Sequence, residues 1–280
     1  MEKEIKNEKF DVILLAGQSN AEGFGLGDDK FDYIPDEDIL IMRGEFNSTV
    51  RKSEYGNEYL DLQLSDEYKL SKADYLLDEK GRKRGCLAFT FAQEYKKNCL
   101  VEGRKILIIH APIGGTGFAK NHWGIGDCVY RRMLKMVKHA LDFNCENRLI
   151  AFLWHQGEHD SFENKQFADD EREEYYYRKL TAMIVNFRNK FGNVPFIAAA
   201  FTRQWQELYP NQCQAIYNAT QRVIDNQGNA TFITQTEDLK SNAEMVGIED
   251  EVHFCKEALS VLGIRYYNEW IKLKNKEKTK

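Results

Sequence analysis

Asp11-Val12-Ile13-Leu14-Leu15-Ala16-Gly17-Gln18-Ser19-Asn20-Ala21-Glu22-Gly23 is the stretch on which the fold turns. Its apolar run has no polar alternation, which predicts a strand buried on both faces, as in a parallel sheet. The run stops at Gly17, and Ser19 follows two residues later. Open parallel sheets carry their active sites at the carboxyl ends of strands, so Ser19 is a candidate nucleophile. Serine is also a common helix N-cap. The residues that accompany Ser19 must therefore decide between the two readings.

Working outward, further strands are predicted at 39–42, 105–111, 149–154 and 196–200, with a short one at 231–234. Helical spacing covers 89–100 and 130–143, a long run from about 163 to 191, 211–225 and 256–273. Strands alternating with helices indicate βαβ units and a three-layer α/β fold with a parallel sheet. Residues 44–85 are polar, charged and weakly periodic. They read as an insertion of loops and short helices, the kind of segment that roofs an active site. The charged tail, 274–280, is expected to fray. No repeat, linker or composition break divides the chain, so residues 1–280 are read as one domain.

The 280 residues are 42% hydrophobic, enough for one large core. A formal net charge of -5 offers no basic surface for nucleic acid or an anionic membrane. No apolar run is long enough to span a bilayer, and the first ten residues lack a secretory signal. Six scattered cysteines without a C-x-x-C pair predict free, mostly buried thiols and a cytoplasmic location. Composition does not fix the oligomeric state and leaves a homo-oligomer open.

Four polar clusters fall at or beyond strand ends: Gly17-Gln18-Ser19-Asn20, Gly114-Gly115-Thr116, Trp154-His155-Gln156-Gly157-Glu158 and Asp250-Glu251-Val252-His253. In a parallel sheet the first three share one edge. Acyl transfer needs a nucleophile, a base, a group orienting that base and donors for the oxyanion. Ser19 is the candidate nucleophile and His253 the base. Asp250, three residues before His253, can accept the second imidazole N–H; Glu158 is its rival. The N–H groups of Ser19 and Gly115 and the amide of Gln156 are candidate oxyanion donors.

These four blocks together resemble the SGNH hydrolases, in the branch that includes sialic-acid O-acetylesterases and acetylxylan esterases. Residues 177–195 and Thr236-Glu237-Asp238-Leu239 also resemble that pattern. Where the wider superfamily carries an asparagine donor, this branch has glutamine, and Gln156 matches it. The resemblance implies a flavodoxin-like sheet of five parallel strands, a serine esterase acting on an acetylated saccharide, and no cofactor. It also points to Gln18, Asn20 and Trp123 as substrate-binding residues. Two departures stand out: Ala21 occupies a position where methionine is usual, and Gly117-Phe118 interrupts the usual approach to the tryptophan, leaving Trp123 to supply it.

Bland readings accompany several residues. His155 reads as structural, beneath the site, and His110 as packed. Asn20 can cap the first turn or steady the oxyanion loop. Trp205, Tyr209 and Trp123 can line a sugar subsite or pack in the core. Two other function classes compete. His155-Gln156-Gly157-Glu158-His159 matches H-x-x-E-H, a zinc-hydrolase motif that requires both histidines on one helix, yet it directly follows a strand and contains a glycine. A carbohydrate-binding protein without turnover is the third class.

Overall fold

The computed structural model of the chain describes residues 8–52, 58–162 and 168–278. The first strand, β1 (Phe10–Gly17), is buried along its whole length. Val12 and Leu14 point into one core cluster, Ile13 and Leu15 into the other. A strand that is apolar on both faces can only sit inside a covered sheet, and β1 is central. It pairs in parallel with β6 (Lys105–His110) and β7 (Arg148–His155).

The chain first builds one half of the sheet. The short helix α1 (Ser19–Glu22) leads to β2 (Ile39–Lys52) and β3 (Glu58–Lys72), then to the small pair β4 (Leu76–Leu77) and β5 (Lys83–Arg84). Helix α2 (Leu87–Cys99) returns the chain to β6. The other half follows: α3 (Cys128–Asp142), β7, α4 (Glu158–Phe162), α5 (Asp169–Phe191) and β8 (Phe196–Ala199). Helices α6 (Arg203–Leu208) and α7 (Pro210–Gln227) precede β9 (Ala230–Ile233), and α8 (Asn242–Val246) and α9 (Lys256–Lys278) complete it. Strand order is β3-β2-β6-β1-β7-β8-β9. Crossovers run to one side of β1 and then to the other, so the carboxyl end of β1 lies at a topological switch point, where such sheets bind ligands. Residues of α3, α5 and α7 cover one face, and those of α2 and α9 the other.

Three expectations are corrected. The sheet has seven strands, not five. Strand β9 extends the parallel part, and β3 adds an antiparallel edge. Second, residues 44–52 and 58–72 form no loops and short helices; they belong to the long antiparallel pair β2–β3, a hairpin whose residues 53–57 lie outside the described ones. Leu60-Asp61-Leu62-Gln63-Leu64 has the period-two alternation of a half-buried strand, and Phe46, Leu62, Leu64, Tyr68 and Leu70 pack on the core. Third, the terminal helix continues to Lys278 instead of fraying at 274. Among the described residues, no helix is long and apolar enough to cross a membrane.

One charge interrupts β1. Asp11 is fully buried, and its carboxylate accepts from Arg104 Nε at 2.8 Å, Arg148 Nε at 2.5 Å and the Tyr95 hydroxyl at 2.6 Å. Burial pushes this carboxyl up, but those partners together outweigh it and hold it below its ordinary value. Arg104, just before β6, and Arg148, the first residue of β7, are thereby pinned to the amino end of β1. At the other end, Gly17 takes φ +130°, and a Cβ there would overlap the His155 carbonyl oxygen. Gly17→Ala should lower the unfolding free energy by roughly 2–4 kcal/mol through backbone strain and overlap. Gly103→Ala, also at positive φ but facing open space, should cost about 1–2 kcal/mol. Urea unfolding of both variants checks the difference.

Candidate active site

Because Gly17 lets β1 and β7 end in close contact, the Gln18 N–H reaches the His155 carbonyl at 3.0 Å. Ser19 then opens α1. It lines a cleft of about 410 Å³ together with Gln18, Gly114, Gly115 and His253. Gly115 has φ +70°, a turn that glycine makes without strain. The backbone N–H groups of Ser19 and Gly115 have no partner among the described residues. Unpaired donors at a cleft wall are what a developing oxyanion requires.

His253 Nδ1 lies 2.8 Å from Asp250 Oδ1, so Nε2 is the ring nitrogen left for proton exchange. The other Asp250 oxygen accepts from Asn242 Nδ2 at 2.7 Å. Burial would raise the Asp250 carboxyl, but the His253 and Asn242 bonds outweigh it and hold it low, ionised at neutral pH. Phe24 stacks on the imidazole, ring centres 5.0 Å apart. Glu158, the rival carboxylate, is turned elsewhere. Its Oε1 accepts from Asn20 Nδ2 at 2.6 Å and faces His155 Nε2 at 3.3 Å. Asp250 reaches His253 because both share one tight loop; Glu158 serves the layer beneath.

Asn20 is fully buried and touches no cleft, which corrects the expectation that it binds substrate. Its Nδ2 also donates to the Val252 carbonyl at 3.0 Å, and its Oδ1 accepts from the Phe254 N–H at 2.9 Å. Trp123 is corrected likewise. It is fully buried, donates from Nε1 to Thr116 Oγ1 at 2.9 Å and packs edge-on against Trp154. Trp205, left open between cleft and core, lines the cleft beside Phe162.

Gln156 differs from expectation as well. Its Nε2 donates to Asp160 Oδ2 at 2.6 Å and to Gln18 Oε1 at 3.1 Å, and its Oε1 accepts from the Tyr176 hydroxyl at 3.0 Å. No part of Gln156 lines the cleft. Gln18 does. Its Oε1 also accepts from the His159 N–H at 3.1 Å and the Gly157 N–H at 3.4 Å. These bonds occupy its oxygen and leave its amide N–H groups free of a partner among the described residues.

The H-x-x-E-H reading fails on geometry. His155 is the last residue of β7 whereas His159 lies in α4, so the two do not share a helical face. His155 is fully buried and faces Glu158. Sequence reasoning missed Glu22, Phe46, Ser48 and Phe162 as cleft residues. The hairpin's alternation was the available signal for Phe46 and Ser48. Glu22 carried none, because only folding brings its Oε2 within 2.6 Å of the Gly114 N–H. Burial pushes that carboxyl up from its ordinary value.

Removing Asn20 leaves a buried carboxylate, a carbonyl and an N–H without their partner. Asn20→Ala should cost about 3–5 kcal/mol in stability and lower turnover by loosening the His253 loop. Denaturant titration alongside turnover measurements tests both effects.

The sequence matches the family described as carbohydrate esterase, sialic acid-specific acetylesterase, over residues 9–272. No curated protein matches it. Among solved structures, NanS superposes with a TM-score of 0.71 at 17% identity, covering 96% of this chain and 99% of that one. A protein from Arabidopsis thaliana gives 0.68 at 18% identity, covering 94% and 98%. A carbohydrate acetylesterase from Xanthomonas citri gives 0.59 at 15% identity, covering 92% and 55%.

Proposed function

Since the chain belongs to the sialic acid-specific acetylesterase family of carbohydrate esterases and is a carbohydrate O-acetylesterase, we propose that Ser19, His253 and Asp250 are its catalytic triad. Ser19 Oγ attacks the acetyl carbonyl while His253 Nε2 takes its proton. Asp250 fixes the imidazole tautomer and stabilises the imidazolium. The oxyanion is held by the N–H groups of Ser19 and Gly115 and by the side-chain amide of Gln18. His253 then protonates the departing sugar oxygen, and water releases acetate by the same steps in reverse roles. Gln156 acts one layer back as a positioning residue, gripping the Gln18 oxygen. Trp205 and Phe162 offer aromatic faces to the apolar side of a sugar ring.

The observation that carries this reading is the 2.8 Å His253–Asp250 bond in the cleft that Ser19 lines. Acetylxylan-derived saccharides and sialic acid-type sugars both fit the reaction. The free thiols of Cys86, Cys213 and Cys255, all buried, support a reducing, cytoplasmic compartment.

Ser19→Ala should abolish hydrolysis of acetylated sugars with the fold intact by circular dichroism. An organophosphorus reagent should add mass at Ser19 alone. Full activity in the alanine variant overturns the assignment.

Asp250→Asn should lower kcat by ~10⁴, whereas Glu158→Gln should lose much less, about tenfold. The reverse ranking would make Glu158 the orienting carboxylate. Gln18→Ala should cost about 10²–10³ in kcat with a smaller change in KM, as expected for a donor aimed at transition-state charge. Wild-type kcat in that variant would remove Gln18 from the oxyanion hole.

A further inference from the structure

We infer that Glu22 is a specificity residue of the cleft: its Oε1 accepts a hydrogen bond from a free hydroxyl on the sugar carbon next to the acetylated one. The enzyme thereby selects partly acetylated sugars over sugars that lack that hydroxyl. The inference rests on the esterase reading above and concerns which substrates that site prefers. Glu22 closes the short helix α1 that Ser19 opens, and both residues line the cleft. A Cβ added at Gly114 would stand 3.2 Å from Glu22 Oε2 and 3.6 Å from Ser19 Cβ, so carboxylate and nucleophile adjoin the same glycine. Phe24 Cζ comes within 3.8 Å of that point, and the Phe24 ring stacks on His253. A sugar oxygen released toward His253 therefore leaves with Glu22 close by, and its neighbour on the sugar is the hydroxyl of the adjacent carbon.

What marks Glu22 is an unused acceptor that remains accessible. The Gly114 N–H occupies its Oε2 at 2.6 Å. Its Oε1 has no partner among the described residues, and it is not one of their buried unpaired atoms, so it keeps accessible surface. Glu22 lines two spaces, the cleft of Ser19 and a cavity of about 190 Å³ beside it. Glu158, the other carboxylate of the cleft wall, offers no such atom: its Oε1 is bonded to Asn20 and its Oε2 is buried. Burial pushes the Glu22 carboxyl up, and the Gly114 N–H, Arg84, His253 and Arg132 offset only part of that push. An anion so poorly solvated gains from one more donor.

The surrounding charge says what kind of donor fits. Arg84 and Arg132 line the smaller cavity with Glu22, and the Arg84 guanidinium carbon lies 4.4 Å from the centre of the Phe24 ring. Two cations so near disfavour a third at Oε1, whereas a hydroxyl brings a proton to share and no charge. The bond from Gly114 also holds the carboxylate in one orientation, so its free oxygen is directed before substrate arrives.

The test compares each acetylated sugar with its deoxy counterpart, which lacks the neighbouring hydroxyl and adds no bulk. Suitable pairs are methyl 2-O-acetyl-β-xylopyranoside with its 3-deoxy form, and 9-O-acetyl-N-acetylneuraminate with its 8-deoxy form. For at least one pair, the wild type should favour the hydroxyl sugar by about 10–100-fold in kcat/KM, the range of hydrogen bonds to charged groups. In Glu22→Gln the amide oxygen can stay on the Gly114 N–H, which leaves an NH₂ group where the acceptor was, and the ratio should fall about tenfold. A loosened Gly114 turn slows both members of a pair alike, so the ratio separates recognition from structural damage. A wild-type ratio of one or below for every pair hydrolysed overturns the inference, and this comparison needs no variant to fold. An unchanged ratio in a folded Glu22→Gln protein overturns it too. So does a 3-amino-3-deoxy xyloside that is hydrolysed faster than the hydroxyl sugar, since Oε1 would then serve a cation. Wild-type hydrolysis of 4-nitrophenyl acetate reports the esterase reading separately. Should that ester and every acetylated sugar survive, the esterase reading fails. Where neither pair is hydrolysed, calorimetric titration of both pairs decides the contact: the same preference is expected in Kd, and equal Kd values overturn it.

Discussion

The hydrogen bonds of Asn20 are the joint on which the site depends. One short side chain, wholly removed from solvent, ties together three segments far apart in sequence. It grips Glu158 beyond β7, the Val252 carbonyl and the Phe254 N–H on either side of His253. Asn20 immediately follows Ser19, so the proposed nucleophile and the proposed base, His253, are positioned by the same residue. A neutral amide suits the task because it donates and accepts at once, and burial makes the loss of any partner costly. Glu158 owes its low protonation tendency to the same cluster. Burial pushes it up, while His155 and Asn20 outweigh that push.

A second network works in parallel on the opposite wall. Gln156 is held by Asp160 and Tyr176, and with its remaining N–H it holds the oxygen of Gln18. Asp160 also accepts from the N–H groups of Phe118 and Ala119, which follow the Gly115 turn. The two walls that carry the proposed oxyanion donors are therefore fixed to one buried carboxylate. Preorganised donors lose little on reaction because they need not reorient. The hairpin closes the remaining side. Phe46 and Ser48 line the cleft, and Leu60 reaches the Gly115 turn.

Most of the architecture was legible in the chain because it follows from local pattern. Two-faced apolar strands can exist only within a covered parallel sheet, and a serine directly after the first of them must lie at its carboxyl edge. The Asp250–His253 spacing likewise confines both groups to one short loop. Where local pattern was weak, the reading went astray. The alternation of Leu60, Leu62 and Leu64 is set among charged residues that carry no strand pattern, so the chain there reads as loops and short helices although it pairs as a hairpin.

The sequence by itself determined the fold class, the place of Ser19 at the sheet edge and the nearness of Asp250 to His253 on one loop; that Asp250 and not Glu158 bonds the imidazole came from the structure. The first three depend on apolar periodicity and on separations of a few residues, which the backbone converts directly into geometry. Only the tertiary structure decided which buried amide faces the cleft. Gln18 and Gln156 are identical side chains, and their roles diverge because Asp160 claims the amide of one while backbone N–H groups claim the oxygen of the other. Tertiary packing also buried Trp123 and aimed Glu158 at Asn20 and His155 instead of His253. Each of those outcomes depends on partners tens to hundreds of residues away, and such encounters leave no local trace in the chain.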